Sequence, residues 1–160
     1  MKSTILAGAL LAIAGIGLAG CGGGASDQVA APEGFPGIKV SDGRLVLPAV
    51  KGNPGAVYFT VDYSGDDIAV IRAVDVAGAK GAVLHNTGKG PNGEMQMAEL
   101  LNEKVENGKT LKFESGGNHV MAMGLSDTLK PGDTTEVTLT FLGGTMTSFP
   151  AKVEAAGSKR

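Results

Sequence analysis

From Ile38 onward the chain is interrupted by a turn signal every few residues, and this punctuation limits its fold more than any other feature. "KGNPG", "SGDD", "GKGPNG", "ENGK", "SGGN" and "LKPGD" follow one another along the sequence. Each combines Gly with Pro, Asn, Asp or Lys, residues that supply positive φ, a preset φ or a local side-chain hydrogen bond. Between them lie "GRLVLPAV", "AVYFTVDY", "IAVIRAVDV", "GAVLHNT", "EMQMAEL", "TLKFES", "HVMAMGL", "TEVTLTFLG" and "MTSFPAKVE". These runs are short, rich in β-branched residues and bounded by breakers, as strands are. None carries a sustained apolar stripe of period 3.6; "AELLNEKVEN" comes closest and has room for a turn or two of helix. The pattern predicts an all-β chain folded as an antiparallel sandwich or barrel. Pro150 predicts that the last strand is an edge or is kinked there, because proline cannot donate to a ladder.

A chain of 160 residues forms one domain with a real core. Aromatic residues make up 4% and Trp is absent, so Val, Leu, Ile and Ala must supply most of that core. A formal charge of −2 offers no basic patch for a nucleic acid.

The N-terminus carries a different signal. "MKSTILAGALLAIAGIGLAGC" has a Lys near its start, then no charge from Ile5 to Gly20. That run is short for a bilayer-spanning helix of about 20 apolar residues, and fits a secretory signal peptide. The ending Leu18-Ala19-Gly20-Cys21 resembles a bacterial lipobox, which implies cleavage after residue 20 and lipidation of Cys21. Cys21 is the only cysteine, so a lipidated chain has no free thiol and no disulfide. The expected plan is a signal peptide over 1–20, a lipidated Cys and flexible Gly/Ala/Pro-rich tether over 21–37, a folded domain over 38–153 and a tail over 154–160. The protein would then sit outside the cytoplasm, held to a membrane by its lipid.

The chemistry-bearing residues are gathered together. Beyond the signal peptide there are two His, at 85 and 119, and five Met, at 95, 97, 121, 123 and 146. Both His and four of these Met fall within residues 85–123. As a strand, "HVMAMGL" points His119, Met121 and Met123 to one face and Val120 and Ala122 to the other. "GAVLHNT" and "EMQMAEL" flank "GKGPNG", which has hairpin chemistry, so His85 can meet Met95 or Met97 according to register. Thioethers bind hard cations poorly, and structural zinc sites use thiolate, imidazole and carboxylate. Soft neutral ligands of this kind select Cu(I). A blue-copper electron-transfer centre needs a Cys thiolate, which this domain lacks.

The spacing has a family counterpart. His85 is followed by Asn86, ten residues lead to Met97, and twenty-one more lead to His119, Val120 and Met121. With "GGNHVMAMGL" and "LKPGDTTEVTLTF", this makes residues 38–153 resemble the periplasmic copper chaperones often called PCuAC. Asn86 stands where some members have Met, and "SDGRLVL" replaces an Asp-Ala-Trp stretch that many carry near the first strand. The resemblance implies a cupredoxin-like Greek-key β-sandwich or barrel binding one Cu(I) through His85, Met97, His119 and Met121. It also implies delivery toward the dinuclear copper centre of cytochrome c oxidase, with other copper chaperones as further partners.

Met123 suits packing, since Met fills irregular gaps, and Met146 suits a core or edge position. Glu94, Glu99, Asp66 and Asp67 read as solvated surface, with no cleft pairing them for hydrolysis. Ser115 has no acid partner and no strand-to-helix elbow, so the chain is not expected to be an enzyme. Two alternatives to delivery stand: a copper-buffering lipoprotein, and a structural lipoprotein without metal. The last would be favoured by His85 and His119 rings lying more than about 10 Å apart, far beyond metal–ligand bonds of ~2 Å.

Overall fold

A computed structural model describes residues 34–158. The expected signal peptide and Cys21 lie outside the described residues. Ten strands follow in order: β1 (Ile38–Val46), β2 (Gly55–Tyr63), β3 (Ala69–Val76), β4 (Gly81–Lys89), β5 (Met95–Glu99), β6 (Glu103–Val105), β7 (Thr110–Phe113), β8 (Asn118–Met123), β9 (Thr134–Phe141) and β10 (Met146–Glu154). They hydrogen-bond in the order β5-β4-β8-β7-β2-β1-β10-β9-β3-β6, with β8 also pairing β2. The connected sheet curls over, so that the inner faces of β2, β4 and β8 share one core with those of β3, β9 and β10. The expected all-β, cupredoxin-like sandwich is the architecture found.

Alternation of side chains builds that core. In β2, Val57, Phe59, Val61 and Tyr63 point inward, and in β9 Val137, Leu139 and Phe141 do so. All five Phe of this aromatic-poor chain are buried. Phe59 stacks on Phe113 with ring centroids 4.2 Å apart and leans on Phe149 at 5.0 Å. Phe35, which precedes β1, packs against Phe141 at 4.7 Å, and its N–H donates to Thr147 Oγ1 at 2.8 Å. The packed unit therefore starts before Ile38.

Three local expectations change. No helix forms in "AELLNEKVEN": the ladder to β4 takes Ala98 and Glu99, and the Leu100 N–H donates to Leu84 O. Val105, in β6, is buried and pairs Ala69. The first strand also begins earlier than "GRLVLPAV", at Ile38. Asp42 takes φ 56° and the β1–β2 register shifts between Ser41 and Arg44, so β1 bulges and continues. Nor is β10 an edge, since it lies between β1 and β9. Its ladder with β1 begins only at Lys152, beyond Pro150, while β1 bulges past that proline. At the bulge a Cβ on Gly43 would stand 2.4 Å from Pro150 O, which explains glycine there.

Candidate metal centre

The hairpin predicted around "GKGPNG" forms. Gly90 N–H donates to Glu94 O at 2.7 Å, Gly93 N–H donates to Gly90 O, and Gly93 takes φ 86°. This returns β5 alongside β4 as an exposed edge strand. On its other side β4 pairs antiparallel with β8, which places His85 directly opposite His119 and Val83 opposite Met121. Directly opposed residues share a face, so both His, Met121 and Met123 lie on one side of this three-stranded region. Val120 and Ala122 are fully buried on the other side. The soft residues thus lie on the outer face of the sandwich, with the core behind them.

The β4–β5 register places the two edge methionines differently. Met97 is opposite Thr87 and Met95 is opposite Lys89, while His85 faces Glu99. Met97 is therefore diagonal to His85 rather than across from it, and its long side chain closes the gap. Met97 Sδ lies 3.0 Å from His85 Nδ1. The His85 and His119 rings are 5.9 Å apart at 73°. Imidazoles sharing one ion through ~2 Å bonds stand roughly 5–6 Å apart, so these two are placed to do so.

Burial divides the set. His119 is only 7% exposed, and its Nδ1 lies 2.9 Å from Gly117 O. A carbonyl can only accept, so Nδ1 carries the proton and Nε2 keeps the lone pair a metal requires. His85 and Met121 are half-buried, and Met97 is 55% exposed. Three uncharged donors thus back onto the sheet, with one thioether at the open edge. Among the described residues no group of three His, Cys, Asp or Glu comes together. The exposed carboxylates of Glu106 and Asp127 are held below their usual range by hydrogen bonds from Lys109 and Lys51, and neither belongs to this face.

Met123 lies over Gly81, its Cε 3.7 Å from where a Cβ on that glycine would stand, and is 38% exposed. Met146 is exposed at the start of β10. Sequence reasoning missed a polar tie beside the histidines. Asn86 pairs Asn118 across β4 and β8, donating from Nδ2 to Oδ1 at 2.5 Å, and Asn118 Nδ2 donates to Glu103 Oε1 at 3.1 Å. These residues flank His85 and His119 in sequence and hold the register that opposes them. Two Asn thirty-two residues apart give no local hint of this. An Asn118→Ala variant is expected to lose about 1–2 kcal/mol of stability. Its metal affinity should fall several-fold, in the lower part of the 10–100-fold range for residues that orient ligands. Urea unfolding and competitive metal titration measure the two effects separately.

A family model described as "Putative lipoprotein LpqE-like" matches residues 38–153. "Putative lipoprotein Lxx21020" of Leifsonia xyli subsp. xyli is 27% identical over 158 residues, covering 96% of this chain and 89% of that protein. Among solved structures, the copper-bound PCuAC domain from PmoF2 superposes with a TM-score of 0.63 at 21% identity, covering 78% of this chain and 98% of that one. The solution structure of Cu(I)-DR1885 from Deinococcus radiodurans has a TM-score of 0.59 at 25% identity, covering 84% and 89%. The fold is the one those PCuAC domains share.

Proposed function

The chain belongs to the LpqE-like lipoprotein family, and on that premise we propose that it is a non-catalytic, extracytoplasmic carrier of one Cu(I), held by His85, Met97, His119 and Met121. The observation that carries this reading is the 3.0 Å approach of Met97 Sδ to His85 Nδ1 beside a His119 ring 5.9 Å away. Two imidazoles and a thioether converging without thiolate or carboxylate make a neutral, soft donor set, which favours Cu(I) over zinc or calcium. The copper in the PmoF2 and DR1885 structures supports the same choice. A set lacking any anionic ligand leaves the ion's charge uncompensated, so it should hold copper loosely enough to release it.

The lipoprotein names of the family and of the Leifsonia relative support lipidation at Cys21, with a leader over 1–20, a tether that ends before the buried Phe35, and a domain that runs from there to 153. A lipid anchor would keep the carrier beside a membrane-bound client. The client we infer is the dinuclear copper centre of cytochrome c oxidase.

Anaerobic Cu(I) titration against a chromophoric chelator tests the site. One equivalent per chain is expected. Met121→Leu keeps the side-chain volume and removes the sulfur, and should weaken binding by about tenfold, ~1.4 kcal/mol. A wild-type protein that loses all its copper to a moderate competitor would remove the basis for the proposal. Delivery is checked by mixing the loaded protein with an apo oxidase copper domain and following that domain's optical bands. Retention of the metal would indicate buffering instead.

A further inference from the structure

Two methionines share the outer face of β5, and only one has a place in the four-donor set. Alternation along the strand puts Met95 and Met97 on the same side. Met97 reaches inward to His85, whereas Met95, toward the hairpin tip, is 60% exposed. A thioether that exposed contributes little to the core, and edge strands are better protected by charged side chains. Packing therefore does not account for Met95.

The burial gradient gives it a direction. His119 is almost covered and Met121 half-covered on β8, while Met97 and Met95 on β5 are both more than half exposed. An acceptor's ligand can approach a held ion only from the open side, which is the β5 edge. Met95 and Met97 are about 7 Å apart along the strand, and each side chain has three rotatable bonds. Both sulfurs can therefore reach one ion. Lys89, also exposed, is the cross-strand partner of Met95, whereas Met97 faces uncharged Thr87. An ammonium on the same face discourages a cation from resting at Met95 without preventing its passage.

We propose that Met95 is a hand-over ligand: as copper leaves, the Met95 thioether replaces a donor on β8, and the ion exits from the β5 edge. This rests on the four-donor reading of the same face. Copper stays Cu(I) throughout and no proton moves. A Cu–S bond forms at Met95 as a bond to His119 or Met121 breaks, and the acceptor's own ligands then displace the remaining β8 donor, His85 and the two β5 sulfurs.

The test uses full-length wild type, Met95→Leu and Met123→Leu, each loaded anaerobically with Cu(I). Equilibrium affinity is measured by chelator competition, and transfer rate by stopped flow against excess bicinchoninate at several concentrations. Met95→Leu should leave affinity within about twofold and slow transfer by about tenfold, a selective barrier effect. Met123→Leu, 38% exposed at the far end of β8, should change neither. Wild-type transfer rates in Met95→Leu would overturn the hand-over role, as would an affinity loss matching the rate change, which would make Met95 a resting ligand. A wild type that retains no Cu(I) would instead remove the four-donor reading, and the hand-over with it.

Discussion

Replacing His119 with Ala is expected to lower Cu(I) affinity by roughly two orders of magnitude, about 2.7 kcal/mol, while the domain stays folded. The size of the effect follows from how His119 is held. It is buried, its Nδ1 proton is committed to Gly117 O, and its unprotonated Nε2 needs little reorganisation to bind. A ligand fixed in this way contributes more than Met97 at the open edge, whose side chain must give up rotamer freedom to bind. The structural cost should be small by comparison. His119 lies on the outer face, opposite Val120 and Ala122, and its deletion forfeits one hydrogen bond and the packing of one ring, about 1–2 kcal/mol together. Paired measurements separate the two effects: chelator competition for affinity and a thermal melt of the apo protein for stability. An affinity within about threefold of wild type would exclude His119 as a ligand.

The largest stability effect should come from Phe59. Phe59→Ala is expected to cost about 3–5 kcal/mol, read as a lower urea midpoint with an unchanged slope. A domain of this size holds only about 5–15 kcal/mol in total, so the variant should be marginal at physiological temperature. Phe59 matters this much because the chain has few large side chains. It is 2% exposed and joins Phe113 to Phe149, linking β7, β2 and β10. Phe113 pairs with Asn118 at the start of β8, next to His119, so loosening the stack should also loosen the metal face. Phe59→Leu keeps much of the volume and should cost less than half as much, about 1–1.5 kcal/mol. Equal losses for both variants would mean that the ring contacts, and not the buried volume, carry the effect.

How far the site could be read beforehand depended on the range of each interaction. "HVMAMGL" already separates soft residues from small aliphatic ones, because strand alternation needs only the strand itself. The hairpin around Gly90–Gly93 is similarly local. The room for a helical turn in "AELLNEKVEN" went unused because strand pairing, not the segment's own preference, decided the outcome: Leu100 is bonded to Leu84 and Val105 is drawn into the core. The legible run of the first strand starts only at Gly43 for a related reason, since a bulge between Ser41 and Arg44 interrupts the pattern of a strand that runs from Ile38.

The sequence by itself determined an all-β domain, the separation of faces on β8 and a clustering of both His and four Met within residues 85–123. Alternation and turn chemistry act over a few residues, so they can be read from the chain directly. Tertiary structure alone decided that His85 lies across from His119, that Met97 reaches His85 diagonally, and that Met95 stays at the rim. Those are matters of register. Register between strands is set by distant partners, here the Asn86–Asn118 tie and the placement of β8 between β4 and β7. A slip of one residue would turn every side chain to the opposite face.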